Sequence, residues 1–198
     1  MAPQHLVILP ILLPLLCGAI LVPFTQGRHR AKFVLGFASV LAQLATACAL
    51  MWYADGGAWN EGIGVYLAAN WAAPFGIALV ADRLSAAMLL LTSVLAGASL
   101  CFSIARWGRT GVHFHALFQF LLMGINGALL THDLFNLFVF FEVMLAASYG
   151  LVLHGYNAER LRASMQYIAI NLAAALMFLI GTSLIYATTG TLNMADLS

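Results

Sequence analysis

Six stretches of mostly apolar residues, at about 5–24, 33–53, 84–104, 114–131, 134–154 and 164–187, dominate the 198-residue chain. A helix needs about 20 such residues to cross a hydrocarbon core about 30 Å thick at about 1.5 Å per residue, so each stretch has the length of a transmembrane helix. Composition agrees, with 63% apolar residues and only 8% charged ones. A soluble domain carries about a quarter charged residues. The same figures exclude a disordered chain, a nucleic-acid binder and a disulfide-stapled domain. The expected fold is an all-α polytopic membrane protein, one membrane domain over residues 1–198. The first stretch lacks a basic leader and contains Pro10 and Pro14, so it reads as a retained span and not as a secretion signal.

Basic residues are retained on the inner side of a membrane during insertion. Arg28, Arg30 and Lys32 follow stretch one, Arg106 and Arg109 follow stretch three, and Arg160 and Arg162 follow stretch five. The even-numbered connections carry only Arg83, with Asp55, Glu61 and Asp133 for company, and Asp196 follows stretch six. This alternation predicts six spans with the N-terminus and the end near Ser198 both outside. The one long connection, roughly Ala54 to Arg83, contains Gly56, Gly57, Gly62 and Gly64, with Pro74, Trp59 and Trp71, and its apolar pieces are too short to cross. An external hairpin lying on the helix ends is expected there, with the two tryptophans as interfacial anchors.

Fourteen of the fifteen charged residues fall in connections or at helix ends, and Glu142 is the exception. It lies eight residues into stretch five, about 12 Å deep and close to mid-bilayer. An acid at the centre of a span is unfavourable by about 2.5–3.5 kcal/mol and normally faces other helices or a hydrated cavity. Desolvation favours its neutral form, which brings protonation and deprotonation within reach. Two readings stay open: a proton carrier, or a protonated acid that donates an interhelical hydrogen bond.

Other polar residues inside the stretches gain weight only if they face Glu142. Gln119, Met123 and Asn126 share one face of stretch four at i, i+4 and i+7, and Gln166, Tyr167 and Asn171 cluster on stretch six. Together Gln119, Asn126, Gln166, Tyr167 and Asn171 are the candidate polar seam, with helix packing as the alternative role. Asp133 has the residue type of an N-cap for stretch five. His132 beside it, and His154 at the far end, are either proton hand-over points or hydrated interface residues, as are His113 and His115. Cys17, Cys48 and Cys101 lie in apolar runs without ligand spacing and read as buried hydrophobes. No GxGxxG, P-loop, GxSxG, HExxH or metal-ligand spacing occurs, so an autonomous enzyme, a cofactor or a metal centre is not expected.

The string DLFNLFVFFEVMLAASYGL at 133–151 resembles the fifth helix of the antiporter-like, proton-conducting membrane subunits. PFGIALVADRLSAAMLLLTS at 74–93 and GTLNMADL at 190–197 extend the resemblance, which is nearest to the D subunits of Mrp/Mnh/Pha-type multisubunit monovalent cation/proton antiporters. The resemblance implies a longer subunit of about fourteen helices, of which this chain would be an N-terminal portion, in the plasma membrane of a bacterium beside other antiporter subunits. It also implies that Glu142 relays protons, with Na⁺ or K⁺ as the exchanged cation and without a cofactor. A lysine that many relatives carry in span six is replaced here by Gln166, which implies a more easily protonated Glu142. A proton-pumping subunit of an NADH–quinone oxidoreductase or membrane hydrogenase shares these features and is the alternative. A non-conducting structural subunit is the third.

Overall fold

A computed structural model describes residues 3–24, 29–56, 59, 62–68, 76–106, 113–153 and 158–197. Arg28, Arg109, Trp71, Pro74, Glu61 and His154 lie outside the described residues. Among the described residues a 3-10 turn at Pro3–Leu6 is followed by six α-helices: α1 (Leu9–Leu21), α2 (His29–Asp55), α3 (Arg83–Arg106), α4 (Phe114–Leu130), α5 (Leu134–Val152) and α6 (Ala158–Thr189). Two strands, β1 (Gly64–Leu67) and β2 (Ala78–Ala81), pair antiparallel between α2 and α3, with Gly64 opposite Ala81 and Leu67 opposite Ala78.

Among the described residues, α2, α3, α5 and α6 are long and apolar enough to cross a membrane, whereas α1 and α4 have 13 and 17 residues. The expected first span is shortened because its start is a 3-10 turn and Pro10 stands in the first turn of α1. Thirteen residues rise only about 20 Å. Pro14, inside α1, has a second consequence: without an N–H it cannot serve the carbonyl of Pro10 one turn earlier, so that buried acceptor needs a donor from elsewhere.

α4 is the central helix and packs most extensively on α5 and α1, while α6 touches little besides α5. Its contact with α5 is set by two glycines. A Cβ at Gly124 would stand 2.8 Å from the backbone nitrogen of Met144, and one at Gly127 would enter the ring of Phe140. Two backbones can approach this closely only where side chains are missing. One apolar core, including Val7, Ile11, Leu50, Leu89 and Leu130, fills the space between α1, α2, α3 and α4, and a second gathers Val40, Ala96, Leu100 and Leu122. Trp59 belongs to the first, 6% exposed and stacked on Tyr53 at 5.7 Å, and is therefore a core residue and not an interfacial anchor.

Main-chain pairing stitches one end of the bundle together. His132 N–H donates to Ala78 O at 3.0 Å, Met194 N–H to His132 O at 2.9 Å, and Leu134 N–H to Leu192 O at 3.0 Å. The strand pair, the α4–α5 connection and the segment after α6 thus form a cap, entered from α6 through Gly190, whose φ of 73° turns the chain out of the helix. Two of the strings that resemble the antiporter-like subunits, 74–93 and 190–197, contribute to this cap.

Candidate functional site

Glu142 faces α6. On α5 the residues turned toward α4 are Phe140, Met144 and Ala147 at i, i+4 and i+7, which the α4 glycines draw in. Glu142 is two residues on from Phe140, about 200° round the helix, and so points the opposite way. It is half-buried and lines a cavity of about 160 Å³ with Phe138, Phe141, Leu145, Asn171, Ala174, Ala175 and Phe178. The room comes from Ala174 and Ala175, where larger side chains would fill the space.

Asn171 brings the second polar group into that cavity. Its Nδ2 is buried and has no hydrogen-bond partner among the described residues. A carboxyl acceptor and an unpaired amide donor lining one void form a site that water can occupy, since a water needs roughly 30 Å³ and two or more polar partners. Toward the α5–α6 connection the polar groups continue. Ser148 Oγ and Tyr167 OH are 3.0 Å apart, Tyr149 meets Tyr167 edge-on with centroids 5.7 Å apart, and Tyr149 lies within electrostatic reach of Glu142.

The candidate seam read from the sequence divides in two. Asn171 and Tyr167 are on the Glu142 side. Gln166, one residue off their face, is exposed and lines no part of the cavity. Gln119 and Asn126 turn away from Glu142, because the glycine side of α4 is taken by α5 and their own side meets α1 and α2. Asn126 Nδ2 donates to Pro10 O at 2.8 Å, supplying the donor that Pro14 withholds, and to Gln43 Oε1 at 3.0 Å. Ser39 Oγ donates to Gln119 Oε1 at 3.1 Å, and Gln119 Nε2 donates to Gly36 O at 3.0 Å. This second network is almost wholly buried and holds three helices in register. Ser39 and Gln43 were legible at i and i+4 on α2 but carry no charge to draw attention.

Asp133 is the N-cap of α5, its Oδ1 accepting from Asn136 N–H at 2.8 Å. His132 sits in the cap with both main-chain groups paired. Eight residues of α5 separate this cap from Glu142, about 12 Å, so the structure does not bring His132 or Asp133 to the carboxyl. His115 is 8% exposed and edge-on to Phe33 and Phe114, a packed residue and not a hydrated one.

Residues 131–198, which hold α5, α6 and the part of the cap outside the strand pair, match the family model described as NADH:quinone oxidoreductase/Mrp antiporter, TM. The chain is 58% identical to the D subunit of a probable K(+)/H(+) antiporter of Rhizobium meliloti over 98% of its own length, and 43% identical to the D subunit of a Na(+)/H(+) antiporter of Alkalihalophilus pseudofirmus over the same share. Over its whole length this chain is similar to antiporter D subunits. It spans a little over a third of those relatives, 36% and 39% of their lengths. A chain of the Mrp complex from Dietzia sp. DQ12-45-1b superposes on all of it with a TM-score of 0.91 at 38% identity, over 37% of that chain. With these relatives and its long apolar helices, the protein is a multi-pass membrane protein.

Proposed function

We propose that the chain forms the N-terminal portion of a membrane subunit of a multisubunit monovalent cation/proton antiporter, in which Glu142 takes up and releases the transported proton. The observation that carries this reading is the cavity shared by Glu142 and the unpaired amide of Asn171. An acid that only glued helices together would be expected to have its partner in place. Here carboxyl and amide border a void with room for water, the arrangement a proton carrier requires. The names of the relatives, which specify K(+)/H(+) and Na(+)/H(+) antiporters, support exchange of protons against a monovalent cation, with other antiporter subunits as partners. They come from bacteria, which supports a bacterial plasma membrane.

Six crossings follow in this reading, α1 and α4 crossing as short helices inside the bundle, with both chain ends and the cap outside. The alternation of basic connections supports that orientation. The driving force is adequate, since moving one charge through 100 mV is worth about 2.3 kcal/mol. A proton-pumping subunit of a redox complex is the second reading, favoured by a family description that spans both classes. The antiporter names of the relatives at 58% and 43% identity weigh against it.

The test is Glu142→Gln in the full-length subunit within its complex, reconstituted in vesicles and followed by a pH-sensitive dye after Na⁺ or K⁺ jumps. Loss of exchange by at least tenfold, with assembly intact, is expected. Exchange at the native rate would remove Glu142 from the proton path.

A further inference from the structure

We propose that Phe138, Phe141 and Phe178 form a dry plug on the cap side of the Glu142 cavity, leaving it open to water only toward the α5–α6 connection. The proposal deepens the reading of Glu142 as a proton carrier and rests on it.

The rings come from both helices and interlock. Phe138 stacks on Phe178 with centroids 6.2 Å apart and planes 11° apart, and Phe141 meets the same Phe178 edge-on at 6.3 Å and 79°. All three line the cavity wall. Because α5 runs away from the cap and α6 runs toward it, Phe138 and Phe178 lie on the cap side of Glu142 and Asn171. Beyond them the hydroxyls of Thr182 and Ser183 spend their single donors on their own helix. Thr182 Oγ1 donates to Phe178 O at 2.9 Å and Ser183 Oγ to Leu179 O at 2.8 Å. Asn136 is spent on the α4–α5 connection, its Nδ2 donating to Thr131 Oγ1 at 2.9 Å.

The opposite side is built from different chemistry. Ser148 Oγ and Tyr167 OH, 3.0 Å apart, are each donor and acceptor, and Tyr149 joins them. A constriction of aromatic rings excludes water where hydroxyls retain it, which is how apolar constrictions close pores. The polarity is therefore graded along one helix pair, with Glu142 at the boundary. The proton hand-over role open to His132 has no route to the carboxyl through this plug.

Site-directed thiol labelling in the intact complex tests this. With the native cysteines replaced by alanine, Glu142→Cys is exposed in vesicles to a membrane-impermeant methanethiosulfonate added to one face at a time. Asp196→Cys marks the cap side and Arg162→Cys the connection side, both positions being exposed. The expected result is labelling at least tenfold faster from the connection side, and a rise of at least tenfold in the cap-side rate when Phe178→Ala is added, with the connection-side rate unchanged. Should Phe178→Ala fail to assemble, Phe178→Leu keeps most of the helix contact and gives a smaller rise in the same direction. Equal labelling from both faces, no labelling from either, or a cap-side rate unmoved by both substitutions overturns the proposal. The readout is water access and not proton chemistry. If Glu142→Gln exchanges normally while the labelling asymmetry holds, the proton role alone has failed; if exchange is lost and the asymmetry is absent, the plug alone has failed.

Discussion

Asn126→Ala probes the link between a proline in one helix and an amide in another. The substitution removes two buried hydrogen bonds, to Pro10 O at 2.8 Å and to Gln43 Oε1 at 3.0 Å. Interhelical hydrogen bonds in membranes average about 0.6 kcal/mol and reach about 1.7. An acceptor left buried without a donor adds about 1–3 kcal/mol, and Pro10 O is in that position because Pro14 has no N–H to return. The loss is therefore about 2–4 kcal/mol. The decisive measurement is a double-mutant cycle with Pro14→Ala, which restores the missing N–H and lets Pro10 O bond within α1. In that background Asn126→Ala is expected to cost about 1 kcal/mol less, a coupling well above the additivity error of about 0.3–0.5. Equilibrium unfolding of the full-length subunit in mixed micelles, followed by tryptophan fluorescence, gives all four corners. Equal losses in both backgrounds would refute the account of Asn126 as the donor that replaces the proline.

Two further outcomes follow from the packing and the caps. Gly124→Ala places a methyl against the Met144 backbone, which cannot turn aside as a side chain could, and is expected to lower stability by about 1–3 kcal/mol in the same unfolding assay; an unchanged midpoint would show that the α4–α5 contact is looser than described. Asp82 caps α3, and the Ser85 N–H donating to Oδ1 at 2.7 Å holds its carboxyl below the ordinary range. A folded-state pKa below the unfolded one contributes stability above about pH 3.9 that is lost as the pH falls through the folded value. Asp82→Ala is thus expected to cost about 0.5–2 kcal/mol at pH 7, with the gap to the native protein narrowing below about pH 4. A gap independent of pH would assign the effect to something other than the charged cap.

Hydropathy alone predicts a mid-membrane depth for Glu142, because the depth of a residue depends only on its distance from the helix ends. What it faces depends on which side of α5 meets which neighbour, and hydropathy carries no such direction when nearly every residue is apolar. The information was nonetheless present in small residues. Gly124 and Gly127, three apart on α4, mark the side where another backbone comes close, and that choice turns Phe140 and Met144 inward, Glu142 toward α6, and Gln119 and Asn126 toward α1 and α2. Pro10 and Pro14, four apart, signalled an orphaned carbonyl in α1 and hence a donor on whichever helix packs there, a stronger statement than a kink. The cap was illegible for a different reason. It joins Ala78, His132 and Met194 through main-chain groups, which every residue except proline possesses, so no side-chain pattern announces pairing between segments more than fifty residues apart. The asymmetry around Glu142 lies between these cases. Phenylalanines at 138 and 141 and a serine and tyrosine at 148 and 149 were visible along α5, but they acquire opposite roles only when α6 runs antiparallel and sets Phe178 against the first pair and Tyr167 against the second.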